Sequence, residues 1–176
     1  MTWTVFLDRD GTLNEKAPEG DYVKDPSELR MLPGASAAVA ALNRAGLRTV
    51  LVTNQRGVAR GLMSAADVDA VHAALTSELA EAGAHLDAIF VCPHEAGTCD
   101  CRKPGTGLFE QARAADPGID LARSVMVGDA ASDVAAGRAA GMLTVGIGPR
   151  AAGADHAAGD VAQAVEWILA RVSLSR

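Results

Sequence analysis

Short apolar runs alternate with longer stretches of helical spacing along most of this chain. Thr2–Leu7, Leu47–Val52, Ala88–Val91, Ser124–Val127 and Leu143–Ile147 predict strands. Between them, Ala35–Ala45, Ala65–Ala82, Gly107–Ala115 and Ala131–Ala140 predict helices, and Val161–Val172 predicts a terminal amphipathic helix. The boundaries carry suitable punctuation. Pro33-Gly34 precedes the first helix and Gly46 ends it, Ser64 can cap the second, and Gly141 closes the fourth. A strand-then-helix rhythm predicts an α/β fold, a Rossmann-like three-layer sandwich around a mainly parallel sheet. The Ala- and Gly-rich stretch Arg150–Gly159 reads as a loose connection to the last helix.

Bulk properties narrow this picture. At 176 residues, one domain spanning 1–176 is expected, with a substantial core. Aromatic residues make up only 3%, so Ala, Val and Leu must build that core. A net charge of −6 argues against a broad nucleic-acid surface, yet a small phosphorylated ligand needs only a few local cations. The opening MTWTVFLDRD lacks the basic and long apolar regions of a signal peptide, and no run has the 18 or so apolar residues that span a bilayer. A cytoplasmic monomer without membrane contact is the expectation.

In parallel sheets ligands sit beyond the carboxyl ends of the strands, so the polar residues there carry the chemistry. Asp8-Arg9-Asp10-Gly11-Thr12 follows the first strand and Thr53-Asn54-Gln55 the second. The third leads to Cys92-Pro93-His94 and then to Cys101-Arg102-Lys103-Pro104; the fourth gives Gly128-Asp129, with Asp133 one turn beyond. Four converging carboxylates are costly without a cation, and such oxygen ligands suit Mg²⁺ held by Asp8, Asp10 and Asp129. Asp133 would support the ion or orient Lys103. Beside it, Asp8 could attack phosphorus as a nucleophile, and Asp10 could act as general acid and then base. Thr53 and Lys103 would stabilise the transferring phosphoryl group. Asn54, Gln55, Arg56 and Arg102 are candidate substrate-binding residues, with Arg60 a further cation on the same loop.

Cys92, His94, Cys99 and Cys101 form a Cys₃His set on one loop, suited to a structural Zn²⁺ with no ligand position left open for water. Such a clip at about 92–101 would stabilise the loop presenting Arg102 and Lys103. His72 and His85 read as solvated or locally satisfied helix residues, and Trp3 and Trp167 as packing residues. His156 has no evident partner.

The ordered groups Asp8-Arg9-Asp10-Gly11-Thr12, Thr53-Asn54, Lys103 and Gly128-Asp129 with Asp133 resemble the four motifs of the haloacid-dehalogenase phosphatase superfamily. Within it, FLDRDGTLN, VTNQRGVARG, CPH, CDCRKP and VGDAASD resemble the heptose-bisphosphate and histidinol-phosphate phosphatase branch. That resemblance implies hydrolysis through an aspartyl-phosphate, a structural zinc and no large cap domain. Asp21-Tyr22-Val23 and Gln55-Arg56-Gly57-Val58-Ala59-Arg60-Gly61 look like the heptose enzymes, implying removal of the 7-phosphate of D-glycero-D-manno-heptose 1,7-bisphosphate. Histidinol phosphate is the alternative substrate. A zinc-clip binding module is the non-enzymatic alternative, and it leaves the strand-end carboxylates without a purpose.

Overall fold

Val5 and Leu7 pack on one side of the first strand and Phe6 on the other, the two-residue alternation of an extended chain buried on both faces. The computed structural model describes residues 2–173. Its strands are β1 (Thr4–Leu7), β2 (Arg48–Asn54), β3 (Ala88–Cys92), β4 (Ser124–Gly128), β5 (Leu143–Ile147) and β6 (His156–Ala158). They form one sheet in the order β3-β2-β1-β4-β5-β6, and every pairing is parallel. The chain winds outward from β1 in one direction, then returns to lay β4 against β1 and winds outward in the other. This reversal opens a crevice at the carboxyl ends of β1 and β4.

The helices are α1 (Ala35–Arg44), α2 (Ala65–Glu81), α3 (Gly107–Ala115), α4 (Ala131–Ala139) and α5 (Val161–Ser173). One core layer joins α1, α2 and α5 to Val5, Leu7, Leu51, Val125, Val127 and Val145. The opposite layer joins α3 and α4 to Phe6, Val50, Val52 and Met126. Here Phe6 meets Phe109 edge to face at 5.0 Å, two of the few aromatics in the chain. Ser64 caps α2 reciprocally with Asp67: its hydroxyl accepts from the Asp67 N–H at 3.1 Å, and the Asp67 carboxylate accepts from the Ser64 N–H at 2.7 Å.

Two expectations need correction. Thr53 and Asn54 are the last residues of β2, where the sequence reading ended that strand at Val52. Within the supposed loose connection, His156–Ala158 forms β6 on the sheet edge. Three residues, two of them Ala, carry too little β propensity to announce a strand; pairing with β5 supplies what they lack. His156 also acquires a partner, stacking on Trp167 with ring centroids 4.8 Å apart. The connection 8–34 contains one short 3₁₀ turn, Pro26–Glu28, and no cap-sized insertion. Among the described residues, no helix is long and apolar enough to cross a membrane.

Candidate active site

Asp8 stands immediately beyond β1, in the crevice, with its N–H bonded to the Val127 carbonyl at 2.9 Å. The side chain is nearly buried, and its Oδ1 accepts from Lys103 Nζ at 2.8 Å. The same ammonium donates to the Val52 carbonyl at 2.8 Å and lies 2.6 Å from Asp133 Oδ1, so its three protons have three acceptors. Burial pulls the Lys103 pKa down, but Asp8 and Asp133 outweigh that cost and hold it above the ordinary value. Asp8 is pushed up to about 7 by burial, then by the charge of Asp133, against the opposing pull of Lys103. Asp133 approaches so closely that a Cβ on Gly128 would overlap its carboxylate; only glycine fits there.

Lys103 reaches this position because its loop is fastened to β2. Asn54 donates through Nδ2 to the Lys103 carbonyl and accepts at Oδ1 from the Lys103 N–H, both at 3.0 Å. Two antiparallel amide bonds fix the loop in register with the strand end.

Asp10 points elsewhere. Its carboxylate accepts from Arg9 Nη2 at 3.0 and 3.1 Å, from Asn14 Nδ2 at 2.9 Å and from Gln55 Nε2 at 2.9 Å. Gln55 Nε2 also donates to Thr53 Oγ1 at 2.8 Å, which draws buried Thr53 into the same network.

Asp8, Asp129 and Asp133 bring carboxylate oxygens within 4.8 Å of one another. Asp129 Oδ2 faces Lys16 at 2.6 Å and Arg150 at 3.7 Å, while its buried Oδ1 has no hydrogen-bond partner. A hard, all-oxygen donor set with one orphaned acceptor fits Mg²⁺. Gly11 permits this crowding: its φ is +84°, and a Cβ there would lie 2.5 Å from Asp129 Oδ2.

The resulting cavity, about 150 Å³, is lined by Asp8, Asp10, Asn54, Lys103, Asp129 and Asp133 together with Lys16, Ala130 and Ser132. A recess of about 470 Å³ adjoins it through Asp10, Lys16 and Asn54, and runs along Pro18–Val23 to Arg150. Tyr22 closes against the 55–63 segment, where a Cβ on Gly57 would lie 2.8 Å from its ring and 2.9 Å from the Met63 methyl. Arg56 and Arg60 both pair with Glu95, at 3.1 and 3.2 Å, and neither lines the cavity at Asp8. Arg102 is half-buried, and its Nη1 has no hydrogen-bond partner. Lys16 and Arg150 had no signal in local spacing, because where they arrive depends on the course of their connections; the Arg9 and Asn14 grip on Asp10 is local, set by the turn after β1.

The Cys₃His set does assemble. Cys92 Sγ lies 3.6 Å from Cys99 Sγ, Cys99 lies 3.4 Å from Cys101, and His94 Nδ1 lies 3.7 and 3.2 Å from Cys92 and Cys101. A tetrahedron with Zn–S bonds near 2.3 Å has S···S edges of about 3.8 Å, so an expansion of a few tenths of an ångström would turn this cluster into a zinc cage. Burial, then hydrogen bonding to Cys92 and Cys99, push the Cys101 thiol up to about 12; a divalent cation would reverse that balance. The donor set fits Zn²⁺. The cage is tied to the active-site loops: Gln55 N–H bonds to the Cys92 carbonyl at 2.7 Å, and Ala59 N–H to the Pro93 carbonyl at 3.1 Å.

The chain is similar in sequence and fold to known proteins. A HAD-hydrolase-like family model matches residues 100–166. The D-glycero-beta-D-manno-heptose-1,7-bisphosphate 7-phosphatase of Rhodopseudomonas palustris is 43% identical over 146 residues, 78% of this chain and 79% of that protein. The D-glycero-D-manno-heptose-1,7-bisphosphate 7-phosphatase of Thermosynechococcus vestitus is 42% identical, covering 93% of this chain and 94% of its own. Among solved structures, the D,D-heptose 1,7-bisphosphate phosphatase of B. bronchiseptica, crystallised with magnesium and phosphate, superposes with a TM-score of 0.87 at 34% identity. It covers 97% of this chain and 99% of that one.

Proposed function

The chain belongs to the haloacid-dehalogenase-like hydrolases, enzymes that here act on phosphomonoesters, and we propose that it removes the 7-phosphate of D-glycero-D-manno-heptose 1,7-bisphosphate. The observation that carries the reading is the meeting of Asp8, Asp10, Asn54, Lys103, Asp129 and Asp133 in one cavity at the strand ends. Relatives over 40% identical bear the name of this activity, which favours the heptose over histidinol phosphate.

Asp8 attacks phosphorus, and the bond to the sugar oxygen breaks as the aspartyl-phosphate forms. Asp10 gives a proton to the departing alkoxide, then takes one from the water that hydrolyses the acyl phosphate and frees Asp8. Lys103 holds the Asp8 carboxylate and offers its charge to the phosphoryl oxygens, with Thr53 and Asn54 in support. Asp8 and Asp129 would hold Mg²⁺, with Asp133 in support. Asp10, whose carboxylate is engaged by Arg9, Asn14 and Gln55, would complete the surroundings of the ion from the cavity wall. When bound, Mg²⁺ supplies the positive charge that lets two anions, carboxylate and phosphate, approach. The Cys₃His cage would hold structural Zn²⁺ and brace the Lys103 loop.

Arg102, one residue before Lys103 and with an unsatisfied buried donor, is our candidate for the distal phosphate. Lys16 and Arg150 bring two further cations to the adjoining recess. Gln55 and Arg56 act from the wall: Gln55 on Asp10, Arg56 through Glu95. We take residues 1–176 as one catalytic domain working as a cytoplasmic monomer, where a reducing environment keeps the cage thiols available. A kcat/KM comparison across phosphorylated sugars and histidinol phosphate tests the assignment. The heptose bisphosphate should lead, and Arg102→Ala should reduce its value by about a hundredfold while sparing an aryl phosphate. Histidinol phosphate turned over as well as the heptose would remove the substrate assignment and leave the phosphatase chemistry.

A further inference from the structure

We infer that His72, on α2, is a positioning residue for the proton-transfer step: through Arg9 it fixes the carboxylate of Asp10. The inference rests on the role given to Asp10 above.

Arg9 is completely buried, an unusual place for a guanidinium, and two groups account for its donors. Nε and Nη2 face Asp10, at 3.2 Å and at 3.0 and 3.1 Å. The third nitrogen, Nη1, lies 3.1 Å from His72 Nε2 across 63 positions of sequence. An arginine has no acceptor, so the imidazole must accept at Nε2 and carry its proton on Nδ1. That requires neutral histidine. Burial, then the charge of Arg9, lower the pKa of His72 to about 4, which keeps the ring neutral at working pH. His72 is itself buried, on the α2 face that carries Val68, Val71, Leu75 and Leu79 into the core. The helix is therefore a rigid mount, and its reciprocal cap at Ser64 and Asp67 fixes where it begins.

The geometry explains why a neutral acceptor stands there. A carboxylate in that place would compete with Asp10 for the guanidinium, and an aliphatic side chain would leave Nη1 buried and unsatisfied. With His72 present, the guanidinium plane has one orientation, and that plane dictates which way the Asp10 oxygens face. The side chains of Asn14 and Gln55 contact the same carboxylate but not the guanidinium of Arg9.

The consequence is specific to the leaving group. An activated aryl oxide departs without a proton, whereas a sugar alkoxide needs one from Asp10. His72→Leu should therefore lower kcat on a sugar or alkyl phosphate by about tenfold, with KM little changed, and barely affect 2,4-dinitrophenyl phosphate. His72→Gln, whose Oε1 can stand near the Nε2 position, should restore most of the loss; Asn, one bond shorter, should not. Asp10→Asn gives the limiting pattern for comparison. A second readout needs no turnover: the Arg9 side-chain N–H resonances should be sharp and slow to exchange in the native protein and in His72→Gln, and broadened in His72→Leu. A loss that is equal for all leaving groups, or no loss, together with unchanged Arg9 resonances, would overturn the inference. A native protein without phosphatase activity would instead overturn the role of Asp10, and the resonances alone would then decide whether His72 holds Arg9. Should His72→Leu fail to fold, the Gln and Asn pair carries both comparisons.

Discussion

Replacing Lys103 with methionine removes the one cation between two buried carboxylates, and the consequences can be worked through before the experiment. Lys103 is 3% exposed, and its ammonium is saturated by Asp8, Asp133 and the Val52 carbonyl. Breaking a buried charge pair from one side costs about 3–5 kcal/mol, which for a domain of this length lowers Tm by roughly 6–20 °C. The loss must depend on pH. Asp8, raised to about 7 in the native protein against 3.8 in the unfolded chain, is a group whose ionisation opposes folding. Its contribution is fully favourable below pH 3.8 and is lost as pH rises through the folded value. Without Lys103 both influences that lower the Asp8 pKa disappear, so the folded value climbs and the penalty extends to higher pH. Urea unfolding at pH 5 and at pH 8.5 should thus show a small defect in acid and a large one in base. Added Mg²⁺ should recover part of the alkaline loss, through the oxygens of Asp8, Asp129 and Asp133. An equal loss at both pH values, unaffected by Mg²⁺, would mean that Lys103 matters for packing rather than for charge.

Other outcomes follow from single residues. Asp8→Asn should reduce turnover by at least about 10⁴ while Tm stays close to native, and intact-mass analysis of the variant must exclude deamidation; substantial activity would remove Asp8 as nucleophile. Metal analysis of protein purified without chelators should find about one Zn²⁺ per chain; stripping it should speed amide exchange across 99–107, and a zinc-free native protein would reject the cage. Acid should destabilise the fold through His72: below pH 6.5 the unfolded chain takes up a proton that the native protein refuses until about pH 4. This contribution is about 3 kcal/mol across that window and opposes the gain from protonating Asp8, so His72→Gln should gain on the native protein by about that amount between pH 6.5 and pH 4; an unchanged difference would place the titration elsewhere.

The alternation of apolar runs sufficed to read five of the six strands and all five helices, because strands buried on both faces and Gly- or Ser-punctuated helices leave local signatures. His156–Ala158 escaped because its strand character comes from β5, not from its own side chains. The carboxylates at the strand ends were legible for a similar reason: topology confines them to one edge, so order along the chain predicts proximity in space. Lys16 and Arg150 were not, since both come from connections whose course is set by packing. His72 had a partial signal. It lies in the Val68, Val71, Leu75 and Leu79 stripe of α2, where a polar residue must be buried, but only the structure reveals that Arg9 is what it meets.

The contact of Tyr22 with Gly57 has a meaning for how such an enzyme could change its taste for substrates. The recess wall from 18 to 23 and the turn from 55 to 63 belong to different crossovers, yet a ring and a missing Cβ lock them face to face. Neither can be redrawn alone: a bulkier residue at 57 displaces the tyrosine, and a smaller one at 22 opens a gap beside Gly57. Asp8, Asp129 and Asp133 stand outside this lock, while Gln55, at the start of the turn, reaches Asp10. A change in the recess would therefore have to alter both loops together and still leave Gln55 where it can reach Asp10.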